Sequence, residues 1–227
     1  PMAVLFALTL LLMLEPDFGA TVVTAGTAFV MIFLGGVKLG QFLLVILGCV
    51  AGAVALVIFE PYRMKRLTAF TDPWADQFNS GYQLTQSLIA FGRGELTGVG
   101  FGNSVQKLFY LPEAHTDFVF AIFAEEFGFI GTLVILGLFV GLVGRILAIG
   151  RHAELTSRRF HAFVAYGVAM MISAQAFINM GVNTGLLPTK GLTLPFFSYG
   201  GSSLMVCMAM VALVARIERE CRGEHGR

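Results

Sequence analysis

Residues 118–144 read FVFAIFAEEFGFIGTLVILGLFVGLVG, an apolar run whose only charged side chains are Glu125 and Glu126. A helix needs roughly 20 predominantly apolar residues to cross a bilayer, and this run is long enough. We therefore predict a transmembrane helix here. The whole chain agrees, because 56% of its 227 residues are hydrophobic and only 13% are charged. That balance excludes an ordinary soluble globular protein.

Other apolar runs lie at 20–37, 41–59, 162–182 and 199–215, and a shorter one lies at 2–14. The predicted fold is all-α, a polytopic membrane helical bundle with about six transmembrane helices in a single membrane domain. Residue 1 is Pro rather than Met. We therefore expect the run 2–14 to be a crossing whose beginning is missing, and the chain to be the C-terminal part of a longer protein.

The distribution of cations predicts the orientation of these helices. With six crossings, one side of the membrane receives most of the cations, namely Lys38, Arg145, Arg151, Arg158, Arg159, Arg216, Arg219, Arg222 and Arg227. We expect that side to be the cytoplasm. The long segment 60–117 and the shorter segment 183–198 then face outward.

The outward segment 60–117 is too long for a plain connector and is expected to be structured. It contains a predicted amphipathic helix around 82–91 and then a glycine run, Gly92 to Gly102. The glycines suit either a loop that cradles phosphate or a plain structural turn. No nucleotide-binding fingerprint is present, and no nucleic acid partner is expected.

Asp117 lies where this polar segment meets the apolar run. One interpretation is that Thr116 or Asp117 caps the helix. The other is a functional carboxylate, either a general base or a ligand for a divalent cation such as Mg²⁺ or Mn²⁺ that neutralises phosphate. The neighbouring His115 is either a hydrogen-bonded surface group or a direct participant.

Polar side chains inside the apolar runs raise the same kind of alternatives. Glu125 either lines a polar cavity or lies near the interface on an overlong helix. Gln175, Asn179 and Asn183 recur every four residues on one helix face, as interhelical hydrogen-bonding groups or as a substrate groove. Lys190 is either a clamp on a diphosphate or a lysine that snorkels to the interface.

Several motifs together resemble the SEDS family (shape, elongation, division and sporulation), and its division member more than its elongation member. They are Glu15-Pro16-Asp17-Phe18-Gly19, Gly81–Ser87, Gly102–Lys107, Pro112–Phe118, Leu187–Pro195 and Ser198–Ser203. The similarity extends over nearly the whole chain in order. The family has about ten crossings, and this chain resembles the last six.

The resemblance implies a peptidoglycan glycosyltransferase that polymerises lipid II at the outer face of the bacterial cytoplasmic membrane, at the division septum. It implies Asp117 as the catalytic residue. Lys190, Arg63 and Lys107 are expected to face the diphosphate, and Ser198, His115 and Glu125 are expected to line the substrate site. Glu113 either orients Asp117, helps to hold a metal, or is a plain loop acid.

The expected partners are a class B penicillin-binding protein, which is a transpeptidase, and other membrane proteins of the division machinery. Two other functions compete with the glycosyltransferase. One is a lipid II flippase, which needs polar groups that continue to the cytoplasmic side. The other is a noncatalytic scaffold that activates the transpeptidase, which does not need Asp117.

Overall fold

The computed structural model describes residues 4, 7–9, 11–12, 18–44, 46–48, 70–79, 81–108, 111–188 and 191–223. Its main helices are α1 (Phe18–Leu34), α2 (Tyr82–Gly94), α3 (Val119–Leu155), α4 (Arg159–Asn183) and α5 (Gly201–Gly223). No strand occurs among these described residues. The predicted all-α fold is confirmed.

Three of the described helices, α3, α4 and α5, are long and apolar enough to cross a membrane. The helix α1 and another apolar helix, Leu39–Gly48, are shorter. The predicted crossings 2–14 and 41–59 lie partly outside the described residues. The bundle is therefore a membrane protein, and the count of six crossings stays a prediction.

The helix α3 carries the predicted span 118–144 and continues past Arg145 for almost three turns. It ends where Ser157 adopts a left-handed conformation with φ 62°. The Ser157 N–H then donates to the carbonyl of Glu154, and the Arg158 N–H donates to that of Ala153. This pair of bonds is a Schellman motif, which here forms without the usual glycine.

The helix α3 is interrupted at Gly128, whose φ of 65° and ψ of −165° are not helical. In a regular helix the N–H groups of residues 129 and 130 would donate to the carbonyls of residues 125 and 126. Here Phe129 and Ile130 donate to the carbonyls of Glu95 and Leu96 instead, at 2.9 and 3.1 Å. The loop that follows α2 therefore inserts into α3.

The same loop also satisfies the two carbonyls that the interruption exposes. The N–H groups of Val99 and Gly100 donate to the carbonyls of Glu125 and Glu126, at 3.0 and 3.1 Å. Two helical bonds are thus replaced by four bonds to the loop. These bonds matter in a membrane, because each backbone N–H or C=O group without a hydrogen-bond partner in hydrocarbon costs on the order of several kcal/mol.

Two glycines make this insertion possible. A Cβ atom at Gly98 would lie 2.1 Å from the carbonyl oxygen of Glu126, and one at Gly128 would lie 2.4 Å from the nitrogen of Gly98. Both residues also have positive φ, which other residues rarely adopt. The close approach favours the structural alternative for this part of the glycine run.

Two buried clusters hold the helices together at opposite ends of α3. Near its C-terminal end, apolar residues of α3, α4 and α5 form one core, which includes Ile146, Ala165 and Ile217. Near its N-terminal end, Ala90 of α2 and Val182 of α4 pack against residues 111–121. The second cluster fixes the segment that carries Asp117.

Candidate active site

The segment before α3 folds into compact turns around one carbonyl group. The N–H groups of Thr116, Asp117 and Phe118 all donate to the carbonyl of Glu113, at 3.1 to 3.2 Å. Leu111, Ala114 and Phe118 are buried and belong to the second cluster. Asp117 is left half-buried at the N-terminal end of α3.

Two asparagines of α4 hold the Asp117 peptide group. The Nδ2 atoms of Asn179 and Asn183 both donate to the carbonyl oxygen of Asp117, each at 2.9 Å. Both amides are almost completely buried, with 1% and 0% exposure. A carbonyl oxygen has two lone pairs, so both bonds can form together. The backbone that carries the carboxylate is therefore fixed to α4 without using the carboxylate.

Asn183 also stabilises the start of α3. The residue before the first turn is Phe118, which has no side-chain capping bond. The Oδ1 atom of Asn183 accepts a hydrogen bond from the N–H of Ala121, at 3.1 Å. An N-cap side chain would normally accept this kind of bond. The N-cap residue is therefore neither Thr116 nor Asp117, and the bond to Ala121 comes from another helix.

A third segment closes over the Asp117 carboxylate. A Cβ atom at Gly191 would lie only 2.9 Å from the Oδ2 atom of Asp117, so the backbone here passes directly beside the carboxylate. The Nδ2 atom of Asn179 also donates to the carbonyl of Leu192. Asn179 thus ties Asp117 and the segment 191–195 to the same point on α4.

These bonds decide between the alternatives for the polar stripe on α4. Asn179 and Asn183 bond to backbone groups of neighbouring segments, and Gln175 contacts the hydroxyl of Thr193 at 3.5 Å. The stripe is a set of hydrogen-bonding groups between elements. The spacing of four residues indicated its shared face, but its partners lie in other segments, 13 to 66 residues away in the sequence.

The structure brings three other predicted residues close to this segment. The Glu113 carboxylate accepts a hydrogen bond from the Thr116 hydroxyl at 2.8 Å, on an exposed surface. His115 is exposed, and its carbonyl accepts from the N–H of Tyr199 at 2.9 Å. The Ser198 hydroxyl accepts from the N–H of Leu194 at 2.7 Å. The segments 111–118 and 194–199 are therefore neighbours.

Glu125 does not line a polar cavity, and that expectation is wrong. Its side chain is 0% exposed. Its oxygens accept bonds from the Ser104 hydroxyl at 2.5 Å and from the N–H groups of Val105 and Gln106. The guanidinium of Arg93 lies 3.3 Å away and supplies the compensating charge. These bonds occupy the oxygens of Glu125 and join α3 to the outward segment at residues 104–106. Glu125 therefore anchors this outer loop to α3.

Lys107 belongs to the same anchor. Its Nζ atom lies 2.6 Å from the Glu126 carboxylate and 2.6 Å from the carbonyl of Gly102. A diphosphate would have to compete with this ion pair. The diphosphate-facing role of Lys107 stays a prediction, and the roles of Arg63 and Lys190 fall on residues outside those described.

A cavity of about 780 Å³ runs along α3 and α4, from Glu95 and Thr184 to Leu147. Its lining is mostly apolar, with Phe91, Phe120 and Phe177 among the contributing residues. Asp117 is not part of that lining. The carboxylate and the apolar cavity are therefore separate features of the same helix pair.

The described residues do not assemble a protein-built metal centre. Within the ranges given above, no group of three or more His, Cys, Asp or Glu side chains is placed to hold a metal ion. A resident metal site of the structural kind needs about four protein ligands. Cys207 and Cys221 are buried and unbonded to each other, far from the carboxylates of this site in the sequence.

The profile of the FtsW/RodA/SpoVE family, described as cell cycle protein, matches residues 1–223. The chain belongs to this family. The predicted SEDS membership is confirmed, and the FtsW/RodA/SpoVE family likeness extends over nearly every described element.

Curated members of the family are similar in sequence. The probable peptidoglycan glycosyltransferase FtsW of Halomonas elongata is 59% identical over 223 residues, which cover 98% of this chain and 56% of that protein. The protein of the same name from Pseudomonas fluorescens is 59% identical over 226 residues, covering 100% and 56%. The chain thus spans a little over half the length of these relatives.

Two solved structures are also similar to this chain. One belongs to a peptidoglycan synthase complex and is described by the structural coordination of polymerization and crosslinking. It has a TM-score of 0.74 and 31% identity, covering 97% of this chain and 62% of that one. The other is an aspartate-to-alanine mutant of the Thermus thermophilus rod shape determining protein RodA. It has a TM-score of 0.59 and 31% identity, covering 96% and 56%.

Proposed function

We propose that this chain forms part of a peptidoglycan glycosyltransferase that polymerises lipid II during septal cell-wall synthesis. The observation that carries the proposal is the placement of Asp117. Its carboxylate is half-buried at one end of a membrane-crossing helix, on a peptide group fixed by Asn179 and Asn183. The relatives named probable peptidoglycan glycosyltransferase support the same activity.

The reaction joins a sugar hydroxyl of one lipid-linked chain to the anomeric carbon of another. We assign Asp117 the role of general base, which accepts the proton of the attacking hydroxyl. The new carbon–oxygen bond forms as the bond from the anomeric carbon to the diphosphate breaks. The bonding electrons leave with the undecaprenyl diphosphate. A single displacement of this kind inverts the anomeric carbon.

Fixing the Asp117 backbone suits this role. A base must lie within hydrogen-bond reach of the proton that it accepts, about 2.6–3.2 Å between heavy atoms. Since an error of about 1 Å in position can lower a rate by roughly 100-fold, a rigid mounting of the base is valuable. The two asparagines of α4 supply that mounting, and the backbone at Gly191 passes beside the carboxylate.

The leaving diphosphate requires positive charge nearby. Lys190 and Arg63 are proposed to supply it, with Ser198 and His115 near the sugars. Glu113 is proposed to steady the turn through its bond to Thr116.

A divalent cation, Mg²⁺ or Mn²⁺, would be held by Asp117 and the substrate's own phosphates. We expect chelation to lower polymerisation and added Mg²⁺ to restore it; an unchanged rate would contradict a bound cation.

The proposed site faces the periplasm, because the opposite ends of α3 and α5 carry the arginines expected in the cytoplasm. The proposed partner is a class B penicillin-binding protein that crosslinks the new strands. A solved structure similar to this chain belongs to a complex that coordinates polymerization and crosslinking.

The decisive experiment supplies labelled lipid II to the purified protein and its transpeptidase partner. We expect Asp117→Ala to abolish glycan chains. Glu113→Gln, which removes a nearby charge but can still accept the hydrogen bond from the Thr116 hydroxyl, should retain them. Equal polymerisation by Asp117→Ala and the unchanged protein would refute the assignment. Transport of lipid II across vesicles without polymerisation would favour a flippase. Activation of the partner by Asp117→Ala, without any polymerisation by the unchanged protein, would favour a scaffold.

A further inference from the structure

A second cavity, of about 400 Å³, lies between α3 and α5 at the end of the bundle opposite Asp117. Its lining consists of Arg145, Ala148, Ile149, His152, Glu218 and Arg222. This volume falls in the range of about 300–1,000 Å³ that is usual for small-ligand pockets. The proposed glycosyl transfer does not use any of these residues.

The charges in this cavity are unbalanced. Arg145 donates to Glu218, and the Nη2 atom of Arg222 donates to the same carboxylate oxygen at 2.6 Å. One carboxylate therefore serves two guanidinium groups. Each guanidinium has five N–H donors in a planar fork, so both retain donors for a further anion. The side chains are 58% and 68% exposed, which leaves them accessible.

The cavity lies at the level of lipid headgroups. Arg145 directly follows the apolar run 118–144. The apolar run 199–215 ends directly before Arg216, and Arg222 lies six residues, about 9 Å along a regular helix, beyond Arg216. The headgroup region on each side of the hydrocarbon core is about 5–8 Å thick, so Arg145 lies at the boundary of the core and Arg222 lies at the level of the headgroups. Ala148 and Ile149 add an apolar part to the lining, as a site beside lipid chains requires.

The surroundings strengthen the preference for an anion. Within residues 145–159 and 216–222, seven arginines accompany three glutamates. Glu220, which lies on α5, is already bonded to Arg216 and His161. A basic pocket between transmembrane helices on the cytoplasmic side is a common form of anionic-lipid site.

We propose that the cavity between α3 and α5 binds the phosphodiester headgroup of an anionic phospholipid of the inner leaflet. Arg145 and Arg222 contact the phosphate, and the acyl chains lie along the exposed apolar faces of α3 and α5. Glu218 holds the two guanidinium groups together in the absence of lipid. Because its carboxylate competes with the phosphate, Glu218 lowers the affinity for lipid.

The test measures equilibrium binding of fluorescent phosphatidylglycerol to the purified protein in an uncharged detergent. We expect Arg145→Gln/Arg222→Gln to weaken binding by about tenfold or more, since charge-assisted hydrogen bonds are lost. The matched control is Arg151→Gln/Arg219→Gln, which removes two exposed arginines from the same helices but not from the cavity. Equal losses in both double variants would overturn the proposal.

Two further sets of measurements distinguish lipid binding from effects of misfolding and from binding of other ligands. Glu218→Gln keeps both arginines and should raise the affinity severalfold, a direction that general damage to the fold cannot produce; a lower affinity would contradict the proposal. Binding of phosphatidylethanolamine as tight as that of phosphatidylglycerol would overturn the anionic specificity. Complete displacement of the lipid by millimolar inorganic phosphate would assign the site to free phosphate instead.

Discussion

Replacement of Asn183 by Ala separates the positioning of Asp117 from its chemistry. The substitution removes the bond to the Asp117 carbonyl at 2.9 Å, the bond from the Ala121 N–H at 3.1 Å and the bond to the Asn179 carbonyl at 2.9 Å. Asp117 keeps its bond from Asn179, and Ala121 keeps one to the carbonyl of Phe118. Neither group is therefore left without a partner.

The expected loss of stability follows from this count. Each net hydrogen bond is worth about 0.5–1.5 kcal/mol when no buried group is orphaned. Three bonds give about 1.5–4.5 kcal/mol, which is measurable as a lower unfolding temperature of the purified protein. The expected loss of polymerisation is larger, about 10- to 100-fold, because the base is no longer held in place. Ser173→Ala is the matched control, since that hydroxyl donates only within α4 to Met170.

Asn183→Asp sharpens the same test. The carboxyl group has nearly the size of the amide and can still accept the Ala121 N–H, but it has at most one proton and cannot donate to both the Asp117 and the Asn179 carbonyls. We expect polymerisation to fall although the start of α3 is retained. Wild-type rates of glycan formation in both Asn183→Asp and Asn183→Ala would refute the idea that this amide positions the base.

The loop insertion and the outer-loop anchor give two further predictions. Gly98→Ala should lower the unfolding temperature strongly, because the new Cβ atom would clash with the Glu126 carbonyl at a residue with φ +81°. Gly92 on α2 has open space around it, so Gly92→Ala should be neutral or slightly stabilising. Equal changes in unfolding temperature for the two variants would contradict the insertion. Glu125→Ala should lower the free energy of unfolding by about 2–4 kcal/mol, since Arg93 and the 104–106 backbone lose a buried acceptor. A loss under about 0.5 kcal/mol would show that the anchor contributes little.

The helices themselves were accessible from sequence, since long apolar runs predict crossings. Their ends were less accessible. Arg145 interrupts the uncharged run, so the continuation of α3 through the apolar residues Ile146 to Ile149 was not predicted. The end of α3 at Ser157 lacks the glycine that commonly marks a Schellman motif. A serine in a left-handed conformation is stabilised by its context, which a local pattern cannot show.

The interruption of α3 at Gly128 could not be predicted from the sequence either. A single glycine within an apolar run is common in transmembrane helices, and the loop that fills the break lies about 30 residues earlier. A distant loop also explains the error on Glu125. Its partners at 104–106 lie about 20 residues earlier, in a loop whose path the sequence does not reveal.

The candidate site was predicted in part. The position of Asp117 at a helix start follows from the border between polar and apolar sequence. The four-residue spacing of Asn179 and Asn183 placed both on one face of α4. Their shared bond to the Asp117 carbonyl depends on how α4 packs against α3, which is a tertiary property.

The most direct measurement of the central claim is the rate at which Asp117→Asn converts labelled lipid II into glycan chains. Asparagine keeps the size of the side chain and the main-chain carbonyl that α4 holds, but it cannot accept the hydroxyl proton as a base. We predict a fall of at least about 100-fold in the rate, with lipid II binding retained. A rate within about twofold of the unchanged protein would contradict the role of Asp117 as the base.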